Sequence, residues 1–178
     1  DELRESEARF RVMAEEAPVM IWTSGTAGQC LYLNAMLREF WGVADLDDFD
    51  WARTMHPGDA EAIAGAMIAA TRDRQQVDIE GRYRRADGEY RVLRTRARPR
   101  FSPAGEFLGM IGVNVDITER KQSDAQRDLL LAELNHRVKN TLAVVQGIAH
   151  QTFRNGAATP GACSAFEGRL LALSNAHS

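Results

Sequence analysis

Apolar and polar positions alternate with several different periods along the chain, and each change of period marks an element. Residues 2–16 are mostly Glu, Arg and Ala, strong helix formers, with Phe10 and Met13 one turn apart. Pro18 ends this segment, because the residue before a proline is driven out of helical backbone. Val19-Met20-Ile21-Trp22-Thr23 then reads as a strand, 25–28 as a turn, and Cys30-Leu31-Tyr32-Leu33 as the returning strand of a hairpin. Asn34 is placed to cap a short helix through Phe40, closed by Trp41-Gly42. Ile63, Met67 and Ala70 share one face of a helix predicted over 60–71, whose acidic start at Asp59 and Glu61 suits the positive end of the helix dipole. Three strands follow. Val77, Ile79, Gly81 and Tyr83 alternate with polar residues, Asp87-Gly88 turns the chain, and Tyr90, Val92, Leu93 and Thr95 lie in the return strand. After Ser102-Pro103-Ala104-Gly105 the last strand runs from Phe107 to Val115. Two strands, short helices and three strands make an α+β domain: a five-stranded antiparallel sheet with its helices on one face.

Beyond Asp116-Ile117-Thr118 the period becomes helical and stays so. Residues 119–154 contain no proline and a single glycine, Gly147, so one helix of roughly 54 Å is predicted at a rise of about 1.5 Å per residue. Leu131, Leu134, Val138, Thr141, Val145, Ile148 and Thr152 keep a 3,4 spacing, the seam of a heptad repeat. A small sheet domain cannot cover such a helix, so the stripe needs another helix or another chain. The run 155–161 reads as a loop, and Phe166, Leu170 and Leu173 continue as a second helix. Two such all-α hairpins predict a dimeric four-helix bundle. The expected divisions are 1–16 as an N-terminal helix, 17–118 as the sheet domain and 119–178 as the helical hairpin, its second helix cut short.

Composition narrows the class. With 44% hydrophobic and 26% charged residues the chain is a globular protein rather than a disordered one. No apolar run approaches the roughly 18 residues of a membrane helix. The opening Asp-Glu-Leu-Arg-Glu-Ser-Glu is no signal peptide, so a cytoplasmic location without a membrane partner is expected, and the missing initiator Met points to a fragment. A net charge of −3 argues against general nucleic-acid binding, although residues 119–178 carry 7 basic and 5 acidic groups against 15 and 20 before them. Cys30 and Cys163 are too far apart in sequence for ligand-like spacing, so neither a disulfide framework nor a metal site is expected.

Chemistry concentrates in Glu133-Leu134-Asn135-His136-Arg137-Val138-Lys139-Asn140. With Leu131 and Leu134 at a and d, His136 falls at f, away from the seam. An exposed neutral imidazole is a competent nucleophile toward a phosphoryl group. Asn140 lies one turn on along the same face, while Arg137 and Lys139 bring positive charge that favours phosphate. Glu133, at i−3, is a candidate for orienting the imidazole, with a solvated surface carboxylate as the other reading.

These residues resemble a known family. The run from Leu134 to Gln146, LNHRVKNTLAVVQ, is similar to the phosphoacceptor helix of sensor histidine kinases of the HWE type, and Phe166-Glu167-Gly168-Arg169-Leu170-Leu171-Ala172-Leu173-Ser174-Asn175-Ala176-His177 is similar to that family's second dimerisation helix. The resemblance implies that His136 is the autophosphorylated residue and that Asn140 orients a phosphoryl oxygen or a hydrolytic water; His177 also belongs to the family pattern, with a helix-end or packing role. It also implies ATP and Mg2+ as cofactors on the chain's own ATP-binding domain, a response regulator receiver as phosphate acceptor, and a homodimer. In the larger kinase class an acidic residue follows the phosphoacceptor, but here Arg137 does, which leaves the base unassigned. Neither a Gly-rich phosphate loop nor an acidic magnesium site occurs in the sequence, so these residues alone are expected to lack kinase activity.

Upstream, Met20-Ile21-Trp22, Tyr32-Leu33-Asn34, Met55-His56-Pro57-Gly58-Asp59, the run from Tyr83 to Arg91 and Val115-Asp116-Ile117-Thr118 resemble, in order and spacing, a PAS sensor domain. By that resemblance Asp116, Ile117 and Thr118 couple the last strand to the signalling helix; Asp116 and Thr118 are suited to satisfy backbone groups where strand becomes helix, with Thr118 as the expected cap. Flavin-binding members carry a cysteine in an Asn-Cys-Arg-Phe-Leu run that is missing here, and His56 reads as structural rather than as a haem ligand, so neither flavin nor haem is expected. Trp22, Phe40, Trp41, Trp51, Met55, Ile63, Met67 and Ile79 are expected to fill the core, and Phe101 and Phe107 are candidates for an interface. Two other functions fit the same sequence: a non-enzymatic coiled-coil adaptor, or a small-molecule receptor.

Overall fold

The computed structural model describes residues 2–46, 49–153, 161, 164–169 and 172. The chain divides into two compact units, Asp1–Lys121 and Gln122–Ser178. In the first unit, helix α1 (Glu2–Glu15) leads into strands β1 (Met20–Ser24) and β2 (Cys30–Leu33), then helix α2 (Ala35–Trp41), a 3-10 turn at Trp51–Thr54 and helix α3 (Pro57–Asp73). Strands β3 (Val77–Arg84), β4 (Tyr90–Phe101) and β5 (Phe107–Asp116) complete it, and helix α4 (Thr118–Thr152) runs on from β5. All five strands form one antiparallel sheet in the order β2-β1-β5-β4-β3. The first hairpin therefore docks through β1 onto the last strand, which places β5 at the centre.

Strand alternation gives the sheet two faces. On the inner face, Met20, Leu33, Tyr83 and Leu93 pack with Leu37 of α2, Ile63 of α3 and Met55, which follows the 3-10 turn. Ala70, Ala97 and Met110 make a second, smaller core. Glycines set how closely the layers approach. Gly112 lets the Trp22 indole lie on β5, where a Cβ would come within 2.4 Å of the ring. Gly109, at φ 112°, brings β5 against the Ser24 carbonyl, and a Cβ there would stand 2.0 Å from that oxygen.

Several helix termini depart from the sequence reading. α3 begins at Pro57 rather than at residue 60, because His56 caps it: Gly58 N–H donates to His56 Nδ1 at 3.0 Å, and Pro57 occupies the first turn, where its missing N–H costs nothing. The His56 ring also meets Tyr90 edge-on, with centroids 4.7 Å apart. The Phe101 and Phe107 rings meet at a tilt of 60° at the end of the β4–β5 hairpin, with Arg74 over the Phe107 ring.

Asn34 ties three elements together. Wholly buried, it accepts from the N–H groups of Ile21 and Leu37 and donates to the carbonyls of Ala14 and Val19 at 3.0 and 2.8 Å. Beside it Arg38 reaches Glu15 at 2.9 Å, so α1 is clasped to α2.

In the second unit α4 carries Leu130, Leu131, Leu134, Val138 and Leu142 exposed to solvent. Residues 164–169 are helical, the Phe153 and Phe166 rings lie 5.6 Å apart, and Arg169 donates to the Thr152 hydroxyl at 3.1 Å. Phe10, Cys163, Leu170, Leu173 and His177 lie outside the described side chains. Among the described residues no helix is long and apolar enough to cross a membrane.

Candidate functional site

Three places in the molecule hold side chains with chemistry to spare: one face of α4, the junction of β5 with α4, and a cavity on the inner face of the sheet.

His136 stands exposed on α4, and Asn140 approaches it from the next turn, with Asn140 Nδ2 and His136 Nδ1 3.4 Å apart. Rotating the amide by half a turn exchanges its donor for its acceptor, so Asn140 suits either imidazole tautomer. When the Asn140 oxygen accepts from Nδ1–H, the ring lone pair lies on Nε2, the nitrogen Asn140 does not touch. Glu133, considered above for orienting His136, goes elsewhere: its carboxylate binds the Arg137 guanidinium one turn on, with Nε at 3.1 Å. The i,i+4 geometry explains this, since a helix stacks Glu133 directly below Arg137. Thr141 donates to the Arg137 carbonyl, and Lys139 is exposed.

At the junction a compact knot joins sheet to helix. Asp116 Oδ1 accepts from the Thr118 amide at 2.9 Å and from its hydroxyl at 2.6 Å, while Oδ2 accepts from Arg91 Nε at 2.8 Å. The Thr118 hydroxyl in turn accepts from Val92 N–H at 2.8 Å, and Ile117 N–H donates to the Val92 carbonyl. The carboxylate of Asp116, not the Thr118 hydroxyl, satisfies the amide at the helix start, which corrects the expected cap. Thr118 is already the first helical residue, so its side chain serves the neighbouring strand instead. Burial works to raise the Asp116 pKa, but the Thr118 and Arg91 hydrogen bonds outweigh it and hold the carboxyl below its ordinary value.

The inner face is not filled. A cavity of about 400 Å³ lies between the sheet and the helical side, walled by Trp22, Trp41, Phe49, Trp51 and Met67. The residues expected to fill the core do pack in or against its main cluster, and Trp22, Trp41, Trp51 and Met67 among them also border this space, so the core is built by these side chains without being closed by them. The Trp22 indole lies on Gly112 and is fixed by its N–H bond to Asn114 Oδ1 at 3.1 Å, so the rings line the space instead of collapsing into it. The buried polar residues in this wall, Ser24, Thr95 and Asn114, escape sequence reading because only sheet register brings them together. Thr95 and Asn114 are direct cross-strand partners on β4 and β5. Cys30 also lines the cavity, and burial pushes its thiol up, away from the reactive thiolate.

Comparison with known proteins follows this division. Residues 31–114 match the PAS fold, and residues 133–178 match the HWE histidine kinase family. An uncharacterised protein of Sinorhizobium fredii is 35% identical over 140 residues, covering 78% of this chain and 17% of the relative. A blue-light-activated histidine kinase of Brucella anthropi is 39% identical over 99 residues, covering 56% of this chain and 20% of the relative. The chain therefore spans about a fifth of the length of these curated relatives. Among solved structures, a sensory box histidine kinase/response regulator of Burkholderia thailandensis superposes with a TM-score of 0.53 at 24% identity, covering 72% of this chain and 98% of that one. A PAS domain of a Colwellia psychrerythraea protein gives 0.55 at 20% identity, covering 67% and 99%. At such identities the likeness is one of fold.

Proposed function

From a chain that joins a PAS domain to a segment of the HWE histidine kinase family, we propose that His136 is the phosphoacceptor of a cytoplasmic sensor histidine kinase whose PAS unit supplies the regulatory input. The observation that carries this reading is the exposed His136–Asn140 pair on a helix whose apolar residues are also exposed, within the matched residues 133–178. Nε2 attacks the γ-phosphorus of Mg-bound ATP. A P–N bond forms as the bond to the bridging oxygen breaks, and ADP leaves with its electron pair. Asn140 holds the Nδ1 proton during the attack, so the lone pair stays on the attacking nitrogen. The phosphoryl group then passes to an aspartate of a response regulator receiver, which restores the imidazole.

ATP and magnesium bind to an ATP-binding domain of the parent protein, and the 178 residues by themselves are inactive. The exposed Leu131, Leu134 and Val138 stripe pairs with a second copy, which completes a four-helix bundle. Input shifts the population of conformations at the Asp116–Thr118 knot and so changes how His136 is presented. In the full-length protein, His136→Gln abolishes labelling from γ-labelled ATP while leaving the oligomer intact. Label that persists on α4 in this variant overturns the assignment.

A further inference from the structure

Charge is distributed unevenly around His136. Successive residues of an α-helix turn by about 100°, so Glu133 and Arg137 fall on one flank of the histidine, about 60° and 100° round, and Lys139 falls about 60° the opposite way. Lys139 is exposed. On the other flank the charges are already matched: Glu133 accepts from Arg137 Nε at 3.1 Å and from Arg137 Nη2 as well. Glu133 is the only carboxylate between Asp128 and Glu167, so the one acidic side chain on this stretch of α4 is spent on the guanidinium next to the histidine.

This pair is easily parted. Its side chains are 73% and 56% exposed, and an ion pair so open to water is held weakly. A phosphoryl group on His136 changes the competition for Arg137. It brings about 1.5–2 negative charges and three acceptor oxygens, against the single charge of a carboxylate. The guanidinium fork matches phosphate oxygens two at a time. Consecutive Cα atoms stand only about 3.8 Å apart, well within the span of an arginine side chain.

We propose that Arg137 exchanges Glu133 for the phosphoryl group once His136 is phosphorylated, and that Glu133 is a positioning residue that parks the guanidinium while the imidazole is free. Parking keeps a strong donor away from the Nε2 lone pair before attack. Release supplies a cation to the new phosphoryl oxygens afterwards. The proposal rests on His136 as the phosphoacceptor and adds no bond-making step to that reading, since only hydrogen-bond partners change.

The test needs no ATP-binding domain. Phosphoramidate transfers its phosphoryl group to an exposed imidazole: its P–N bond breaks as the bond from phosphorus to the ring nitrogen forms, and ammonia leaves. The 178-residue chain is treated with it, mass spectrometry locates the phosphoryl group, and a phosphorus NMR titration reads the pKa of its second ionisation. A neighbouring guanidinium favours the dianion, so Arg137→Gln should raise that pKa by about half a pH unit at low salt. The difference should vanish at about 1 M salt. Glu133→Gln should lower the pKa, because it frees Arg137, and should have less than half that effect in the Arg137→Gln background. An ion pair that served only the helix would leave the phosphoryl pKa unmoved. A pKa unchanged by Arg137→Gln, or a Glu133→Gln shift of equal size with and without Arg137, overturns the proposal. No phosphoryl group on His136 overturns both this exchange and the phosphoacceptor reading. If instead the pKa shifts are found but His136→Gln keeps its ATP label in the full-length protein, the phosphoacceptor reading alone falls.

Discussion

At the scale of single residues, Asn34 shows how much one side chain can organise. Its amide spends all four hydrogen-bonding capacities on backbone groups of α1, β1, α2 and the segment between α1 and β1. Asn34→Ala leaves those buried groups short of partners and should cost at least about 2 kcal/mol, measured by urea unfolding of the chain. Sequence reading found Asn34 as a helix cap, because the cap depends only on Leu37, three residues away. It could not find the bonds to Ala14 and Val19, which depend on the docking of α1. Glu133 fell short for a different, local reason: spacing placed it near His136, but Arg137, one turn on from Glu133 along the same helix, holds the carboxylate.

At the scale of elements, the β5–α4 junction is closed by hydrogen bonds from Arg91, Val92, Ile117 and Thr118 around the Asp116 carboxylate and the Thr118 hydroxyl. Its Asp116 carboxyl has a lowered pKa in the folded state, as do Asp59 beside Arg82 and Glu15 beside Arg38. A depressed carboxyl pKa stabilises the fold above the unfolded value of about 4, and that stabilisation is lost as pH falls through the folded values. The melting temperature should therefore stay nearly level from about pH 7 to pH 5 and decline below about pH 4. In Asp116→Asn the part of the decline owed to this carboxyl should vanish, while stability at pH 7 falls by about 2 kcal/mol with loss of the charge-assisted bond to Arg91. A decline of equal size in both proteins would show that Asp116 has no part in it. Heptad spacing foresaw α4 itself to within two residues at its C-terminal end, since a long helix free of proline depends on local propensity alone. The start of α3 was missed by three residues because His-Pro-Gly reads as a turn, and only the observed His56 bond to Gly58 N–H identifies it as a cap.

At the scale of the whole molecule, the exposed apolar side chains of α4 are too many for a solvated surface helix. Replacing Leu134 and Val138 together by Glu should convert a dimer to a monomer in size-exclusion chromatography with light scattering, without altering the PAS unit's circular dichroism. A dimer that survives both substitutions would place the contact on another surface.

The sequence by itself determined the elements and their order, the α+β layout of the first part, the helical character of the second and the resemblance that singles out His136. These follow from information local in the chain: the period of apolar positions, turn residues, caps and a contiguous motif. Tertiary structure alone decided which strand lies at the centre, which partners Glu15, Asp59 and Asp116 take and whether the core is full. The cavity is the clearest case. Tryptophans at 22, 41 and 51 read as filling because their apolar area is large, but whether they close the space depends on ring orientation. For Trp22 that orientation is set by Gly112 beneath its ring and by its bond to Asn114 on β5, residues far from it in the chain that only the folded sheet brings together.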